Sequence, residues 1–217
     1  MKNLLIWGTG TIAEVANYYF TNYTSYQIVA HVEEIVPTSK YGFNFPNKII
    51  SIEQALATYS PRDTEFFVAI GYRKTNKIRE RRFSEVKSFG YKCASFISEK
   101  AAIFTDKIGE NCFILENNVI QPFSCIHDNV IIWSGNHIGH HSVVEKNTFM
   151  SSHVVLSGKC RVGQNSFLGV NSTVHDGVTI GEFSVLGAGS LVTASCEPYS
   201  IFRPEATKSK IISRDLI

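Results

Sequence analysis

Aliphatic residues fall at every sixth position from Ile108 to Val192 without a slip: Ile108, Ile114, Ile120, Ile126, Ile132, Ile138, Val144, Met150, Leu156, Val162, Leu168, Val174, Ile180, Leu186 and Val192. Four residues after each comes a mostly small or β-branched side chain, such as Cys112, Ser124, Ser142, Cys160 or Ser166, and glycine often follows the aliphatic one, as at Gly139, Gly163 and Gly169. This is the hexapeptide repeat of a left-handed parallel β-helix. Each hexad is a short strand and a turn, three hexads make a coil, and each aliphatic side chain points inward onto its counterpart eighteen residues on. Fifteen hexads predict five coils. So few charged residues cannot cover the flat faces of such a prism, so burial between copies as a homotrimer is expected.

The first hundred residues follow a different pattern. The apolar run Asn3 to Trp7 predicts a strand, and Gly8-Thr9-Gly10-Thr11-Ile12-Ala13 then opens a helical pattern through Tyr19. Gly8 allows the tight turn, Gly10 lets backbone approach a ligand, and the first helical amides, from Thr11 on, face an anion. Tyr26 to Val32 predicts a second strand, ending in Glu33-Glu34, about where such folds hold a ribose hydroxyl. Phe66 to Ile70 predicts a third, followed by Gly71-Tyr72-Arg73 and a charged helix from Thr75 to Phe89. The expected organisation is a Rossmann-like α/β domain with a parallel sheet over residues 1–100, the β-helix over 101–193, and a capping tail over 194–217. A module this short suits a mononucleotide better than a dinucleotide.

Charge and cysteine content narrow the partners. A formal charge of +2, with no run of basic residues, gives no footprint for nucleic acid. No apolar stretch approaches membrane-spanning length, and a cytoplasmic protein is expected. Five cysteines without a C-x-x-C pair suggest neither a disulfide framework nor a thiolate metal site.

Four of the seven histidines lie between Asn136 and Gly158. Relative to the repeat, His137 precedes the inward Ile138, while His140 and His141 come two and three after it. His153 comes three after Met150, so it lies on a different side of the prism from His141. One metal site using all four within a chain is therefore not expected. His140 stacks at the eighteen-residue interval between Pro122 and Gly158, and the glycine leaves room for a ligand chain beside it.

The combination of the Gly8–Ala13 turn, the Val68-Ala69-Ile70-Gly71 strand end with Arg73 and Asn76, the hexapeptide domain and the stretch Asn165–Asn171 resembles the NeuD/PglD-like sugar acyltransferases. The resemblance implies an acetyl-CoA-dependent N-acetyltransferase acting on a nucleotide-linked amino sugar, without metal. It implies His140 as general base, next to His141 where the family usually carries an acid that orients the imidazole. It implies acetyl-CoA along Gly158, Gly169, Val170, Ala188, Gly189 and Lys208. It also implies the nucleotide sugar near Gly8, Gly10, Thr11, Glu33, Glu34, Gly71, Tyr72, Arg73 and Trp133. Trp133 stands in place of an asparagine near the sugar amine, and Phe149 in place of a second histidine. Glu145 is a candidate to orient His140. Two other readings stay open: a sugar O-acetyltransferase with the same base, and a zinc-dependent hydratase resembling the gamma-type carbonic anhydrases, with metal held between subunits.

Overall fold

The structure, a computed structural model, describes residues 1–34 and 47–205. Strands β1 (Asn3–Trp7), β2 (Gln27–Glu33), β3 (Ile49–Ser51) and β4 (Thr64–Val68) form a parallel sheet in the order β3-β2-β1-β4. Helices α1 (Thr11–Tyr23), α2 (Ile52–Thr58) and α3 (Lys77–Ser88) connect or follow them. The short β3 carries too few apolar positions to show a period and has no counterpart in the pattern, whereas α2 falls between the second and third predicted strands. Helix α3 starts at Lys77 rather than Thr75, because Lys74, Thr75 and Asn76 all take positive φ (52°, 49° and 62°).

Alternation along the sheet divides its side chains between two cores. Leu5, Trp7, Phe66 and Val68 face α2 and α3, with Ala55 and Val86. Leu4, Ile6 and Phe67 face α1 and the prism, with Ala13, Phe20, Phe96, Phe113, Ile131 and Phe149. That second core joins the two halves of the molecule.

The left-handed β-helix follows the six-residue rule. Strands pair in parallel at eighteen-residue steps, for example Phe113 to Ile131 to Phe149 to Phe167. Every inward aliphatic residue from Ile114 to Val192 is at most 2 % exposed; burying each contributes about 1.5–3 kcal/mol. Most hydroxyls in the fourth slot are satisfied inside the coil, at Ser124, Ser142, Ser166 and Ser190, while that of Ser172 is buried without a partner. Ser142 donates to the Ser157 carbonyl at 3.1 Å and accepts from the Cys160 amide at 3.1 Å. The tail adds Ile201–Phe202 to one face beside Val185–Leu186.

Each of the three faces has a distinct environment. The docked face, built on Phe113, Ile131, Phe149 and Phe167, is covered by the N-terminal unit. The second face runs through Val119–Ile120, His137–Ile138 and Val155–Leu156, and the third through Cys125–Ile126, Val143–Val144 and Arg161–Val162. The edge between the third and docked faces carries Asn111, Asn129, Asn147 and Asn165, all buried and all at positive φ (55–64°). This turn slot needs the left-handed conformation that asparagine tolerates. Their amides form a ladder, Asn111 to Asn129 at 2.8 Å, Asn129 to Asn147 at 2.8 Å and Asn147 to Asn165 at 3.1 Å. Asn165 then donates to Glu80 of α3 at 2.9 Å. Asn111 accepts from the Val68 amide at 2.7 Å.

Arg79 of α3 is fully buried against this ladder. Its guanidinium donates to the carbonyls of Asn129, Asn147, Thr148, Ile70 and Gly71 and to the Asn76 side chain. Burial pushes its pKa down to about 9, so it remains charged at neutral pH. Carbonyl dipoles compensate that charge.

Candidate active site

His140 and His141 stand on the edge between the second and third faces, opposite the docked face. Their ring Nδ1 atoms are 3.0 Å apart, with the rings perpendicular. The His140 amide donates to Gln121 Oε1 at 2.9 Å, and its carbonyl accepts from the Lys159 amide at 2.8 Å. His141, at φ 60°, occupies the left-handed turn slot, and the Phe123 ring lies 4.7 Å from its own. The hydrogen bond and the ring contact together fix the orientation of two otherwise exposed imidazoles.

Gly158 lies directly above His140, as the eighteen-residue register predicts. A Cβ there would sit 2.7 Å from His140 Nε2, 2.8 Å from its Cε1 and 2.8 Å from Asp176 Oδ1. The room expected beside His140 is thus taken up within the chain: the absence of a side chain at Gly158 lets the imidazole edge and the Asp176 carboxylate close over its backbone. The Gly158 amide donates to no acceptor among the described residues. Gly139, next to His140, is needed for a different reason: its Cβ would meet the Ser157 carbonyl carbon and oxygen at 2.5 Å. Glu145 does not orient His140. It is bound by Arg161 and lies 3.8 Å from His127, while His141 takes the place beside His140 Nδ1.

The N-terminal turn is built as the sequence implies. Gly8 (φ 133°) approaches Ala69 so closely that a Cβ would meet its carbonyl oxygen at 2.7 Å. Gly10 caps α1 without a side-chain bond, leaving the Thr11, Ile12 and Ala13 amides at an open helix N-terminus. Glu33 accepts from the Thr9 hydroxyl at 2.9 Å, which brings the acid at the end of β2 to the turn. Glu34 instead pairs with Arg82, whose guanidinium lies over the Trp7 ring. His31 of β2, with no signal in the sequence pattern, holds the Gly8 carbonyl at 3.1 Å. Gly71 has room for a side chain, Arg73 is exposed, and Tyr72 packs its ring against Phe149 (5.1 Å) and Phe167 (4.7 Å) of the docked face.

The remaining sequence candidates fall elsewhere. Trp133 packs against the core between the two units, and Phe149 is buried in that core, so neither stands beside His140. Gly169, Val170, Ala188 and Gly189 lie at the edge between the docked and second faces; there a Cβ on Gly169 would meet the Ala188 amide nitrogen at 2.7 Å, and Gly189 takes φ 74°. Lys208 lies outside the described residues. The prism therefore separates three groups of candidates within one chain: the glycine turn on the docked side, the Gly169–Gly189 edge, and the His140–Gly158 edge.

Arg79 and the asparagine ladder escaped the sequence reading, and Asn76 entered it only as part of the resemblance. The ladder has a signal, asparagine at eighteen-residue spacing in the third slot of the repeat. Arg79 has none, since one arginine in a charged helix looks like its neighbours. Cys112 is fully buried and its thiol is pushed up to about 12 by burial, which suits packing and not nucleophilic chemistry. Among the described residues no group of three or more His, Cys, Asp or Glu side chains is arranged to hold a metal ion, and no helix is long and apolar enough to cross a membrane. Two clefts lie away from the glycine turn. One of about 360 Å³ is lined by Tyr18, Tyr19, Phe96 and Glu116, and one of about 470 Å³ by Phe104, Pro122 and Phe123, one coil below the histidine pair.

The fold is a hexapeptide-repeat left-handed β-helix joined to an N-terminal α/β domain. Residues 3–86 match the PglD N-terminal domain, residues 107–140 the bacterial transferase hexapeptide (six repeats), and residues 160–194 the hexapeptide repeat of succinyl-transferase. No one of these models spans half of the chain; side by side they join a PglD-type N-terminal domain to hexapeptide repeats. Its fold is that of PerB from Caulobacter crescentus, solved with CoA and GDP-perosamine: TM-score 0.80 at 23% identity, over 93% of each chain. It is also that of the acetyltransferase domain of PglB from Neisseria gonorrhoeae in complex with acetyl coenzyme A (TM-score 0.79, 22% identity, 91% of this chain and 93% of that one). WeeI from Acinetobacter baumannii AYE is similar at 14% identity, with TM-score 0.69 over 93% of this chain and 96% of that one. No curated protein sequence matches the chain.

Proposed function

We propose that the protein is an acetyl-CoA-dependent N-acetyltransferase acting on a nucleotide-linked amino sugar. The observation that carries this reading is the exposed His140 imidazole, its Nε2 edge lying against Gly158 whose amide donates to no acceptor among the described residues, on a prism joined to a glycine-turn module. The amine nitrogen attacks the thioester carbonyl carbon as His140 Nε2 takes a proton from it. The Gly158 amide, free of other acceptors among the described residues, is placed to donate to the oxyanion; losing one such donor costs about 10²–10³ in rate. The C–S bond then breaks, the thiolate takes the proton back from His140, and an amide and free CoA leave. No acyl-enzyme forms, so the buried cysteines have no part in the reaction.

The separation of the three groups around one prism favours a groove between adjacent copies, as in a homotrimer. There the glycine edge of one chain and the histidine edge of the next flank one CoA. The nucleotide is held at the Gly8–Thr11 turn with Glu33, and Arg73 supplies positive charge nearby. A cytoplasmic location fits a protein that draws on acetyl-CoA. Incubation with acetyl-CoA and a panel of nucleotide-linked amino and hydroxy sugars, following thiol release, tests the reading. Release with amino sugars is expected, and His140→Ala should lower it by about 10²-fold or more while substrates still bind. Release only with hydroxy sugars would make the protein an O-acetyltransferase, and undiminished turnover in His140→Ala would remove His140 as base.

A further inference from the structure

The two clefts have no part in the proposed reaction, and both lie at the first coils of the prism. In one, Tyr18 and Tyr23 of α1 are more than half exposed. Glu116, which also lines it, stands eighteen residues before Ser134 in the column that leads to Val170 and Ala188, so this cleft ends the Gly169–Gly189 edge. The other carries Phe104 and Phe123, 61 % and 69 % exposed. Phe123 stands eighteen residues before His141, so this cleft ends the histidine edge. Between the two edges runs the second face. Its outward residues Val119, His137, Val155, Thr173 and Leu191 include no acid, lysine or arginine, and Leu191 is 68 % exposed. The docked face is already covered, and the third carries the Glu145–Arg161 ion pair. The second face is therefore the one suited to contact between copies.

We infer that the tyrosine cleft receives Phe104 and Phe123 of a second copy of this chain. This rests on the homotrimer of the proposed function and names the surfaces that close it. With the second face turned toward a threefold axis, the Gly169–Gly189 edge of each copy meets the histidine edge of the next. Rotation about an axis parallel to the prism changes no heights, and coils are about 4.7–4.9 Å apart, so only features of the same coil can touch. The tyrosines and the phenylalanines meet that condition. Charge agrees with shape: Glu99 and Lys100 flank the tyrosine cleft, Asp106 and Lys107 the other, and none of the four forms an ion pair within the chain among the described residues. Across the contact Lys100 meets Asp106 and Glu99 meets Lys107. The rings supply the affinity and the exposed charges the register. Because Phe123 also packs on His141, the partner's cleft braces the histidine edge from one coil below.

Sedimentation velocity over a range of protein concentrations tests the contact without any substrate. The wild-type chain is expected as a trimer. Each contact recurs three times in the ring, so Phe104→Ser, Lys100→Asp and Asp106→Lys should each raise the concentration at which trimer gives way to monomer by about tenfold or more, with circular dichroism showing a folded chain. The double exchange, Lys100→Asp with Asp106→Lys, should return that concentration to within about threefold of wild type. Monomeric wild-type protein would leave the tyrosine cleft to another partner and overturn the inference, as would a trimer indifferent to all three single changes or a double exchange no better than its parts. A trimer that behaves as expected but releases no thiol with any acceptor would reject the acyl-transfer reading and leave the contact standing.

Discussion

Replacing Gly158 by alanine sets one methyl group against the Nε2 edge of His140, where the chemistry is proposed to occur. The new Cβ would stand 2.7 Å from His140 Nε2 and 2.8 Å from Asp176 Oδ1. Ordinary contact begins near 3.4 Å, so the imidazole must retreat by about 0.7 Å. Gly158 does not need a positive φ, and the obstructing atoms are the ends of two exposed side chains. The fold should therefore lose less than about 1 kcal/mol, or roughly 3 °C in Tm. A misplacement approaching 1 Å costs about 10²-fold in rate, or about 2.7 kcal/mol in the barrier. Gly139→Ala is the matched control: its Cβ would strike the Ser157 carbonyl at 2.5 Å, a backbone obstacle that cannot turn aside, and more than about 2 kcal/mol of stability should go. The assay is kcat for acetyl transfer alongside thermal melting of both variants. Wild-type kcat in Gly158→Ala, or melting as low as in Gly139→Ala, would refute the reasoning.

Two further expectations concern how the halves are joined. Arg79→Met leaves five carbonyls and the Asn76 side chain without their buried donor, and about 3–5 kcal/mol of stability should be lost in urea denaturation; a loss under 1 kcal/mol would show that water replaces the guanidinium. Asn129→Ala breaks two ladder bonds and places alanine at φ 60°, so it should cost about 2–4 kcal/mol, whereas Asn129→Gly, free of the backbone strain, should cost about 1–2 kcal/mol less; equal losses would assign the whole effect to the ladder.

The prism was legible from the six-residue period alone. Period six admits one way of burying fifteen aliphatic side chains, so the coil register, the inward residues and the position of Gly158 above His140 all follow from counting. The glycine turn was equally legible, since Gly8 and Gly10 each answer a local backbone demand. Only the tertiary structure decided what meets across the chain. The repeat says which edge a residue occupies but not what covers a face, and the docked face was chosen by Phe113, Ile131, Phe149 and Phe167 matching the apolar side of α1 and the sheet. That choice turned Trp133 and Phe149 into packing residues and set the glycine turn opposite His140. The buried Arg79 depends on carbonyls contributed by turns fifty or more residues away, and no local pattern records such partners. The orientation of His140 was hidden for a related reason: the ring beside it was known from the sequence, but which nitrogens meet is a matter of side-chain torsion, set by Phe123 one coil below.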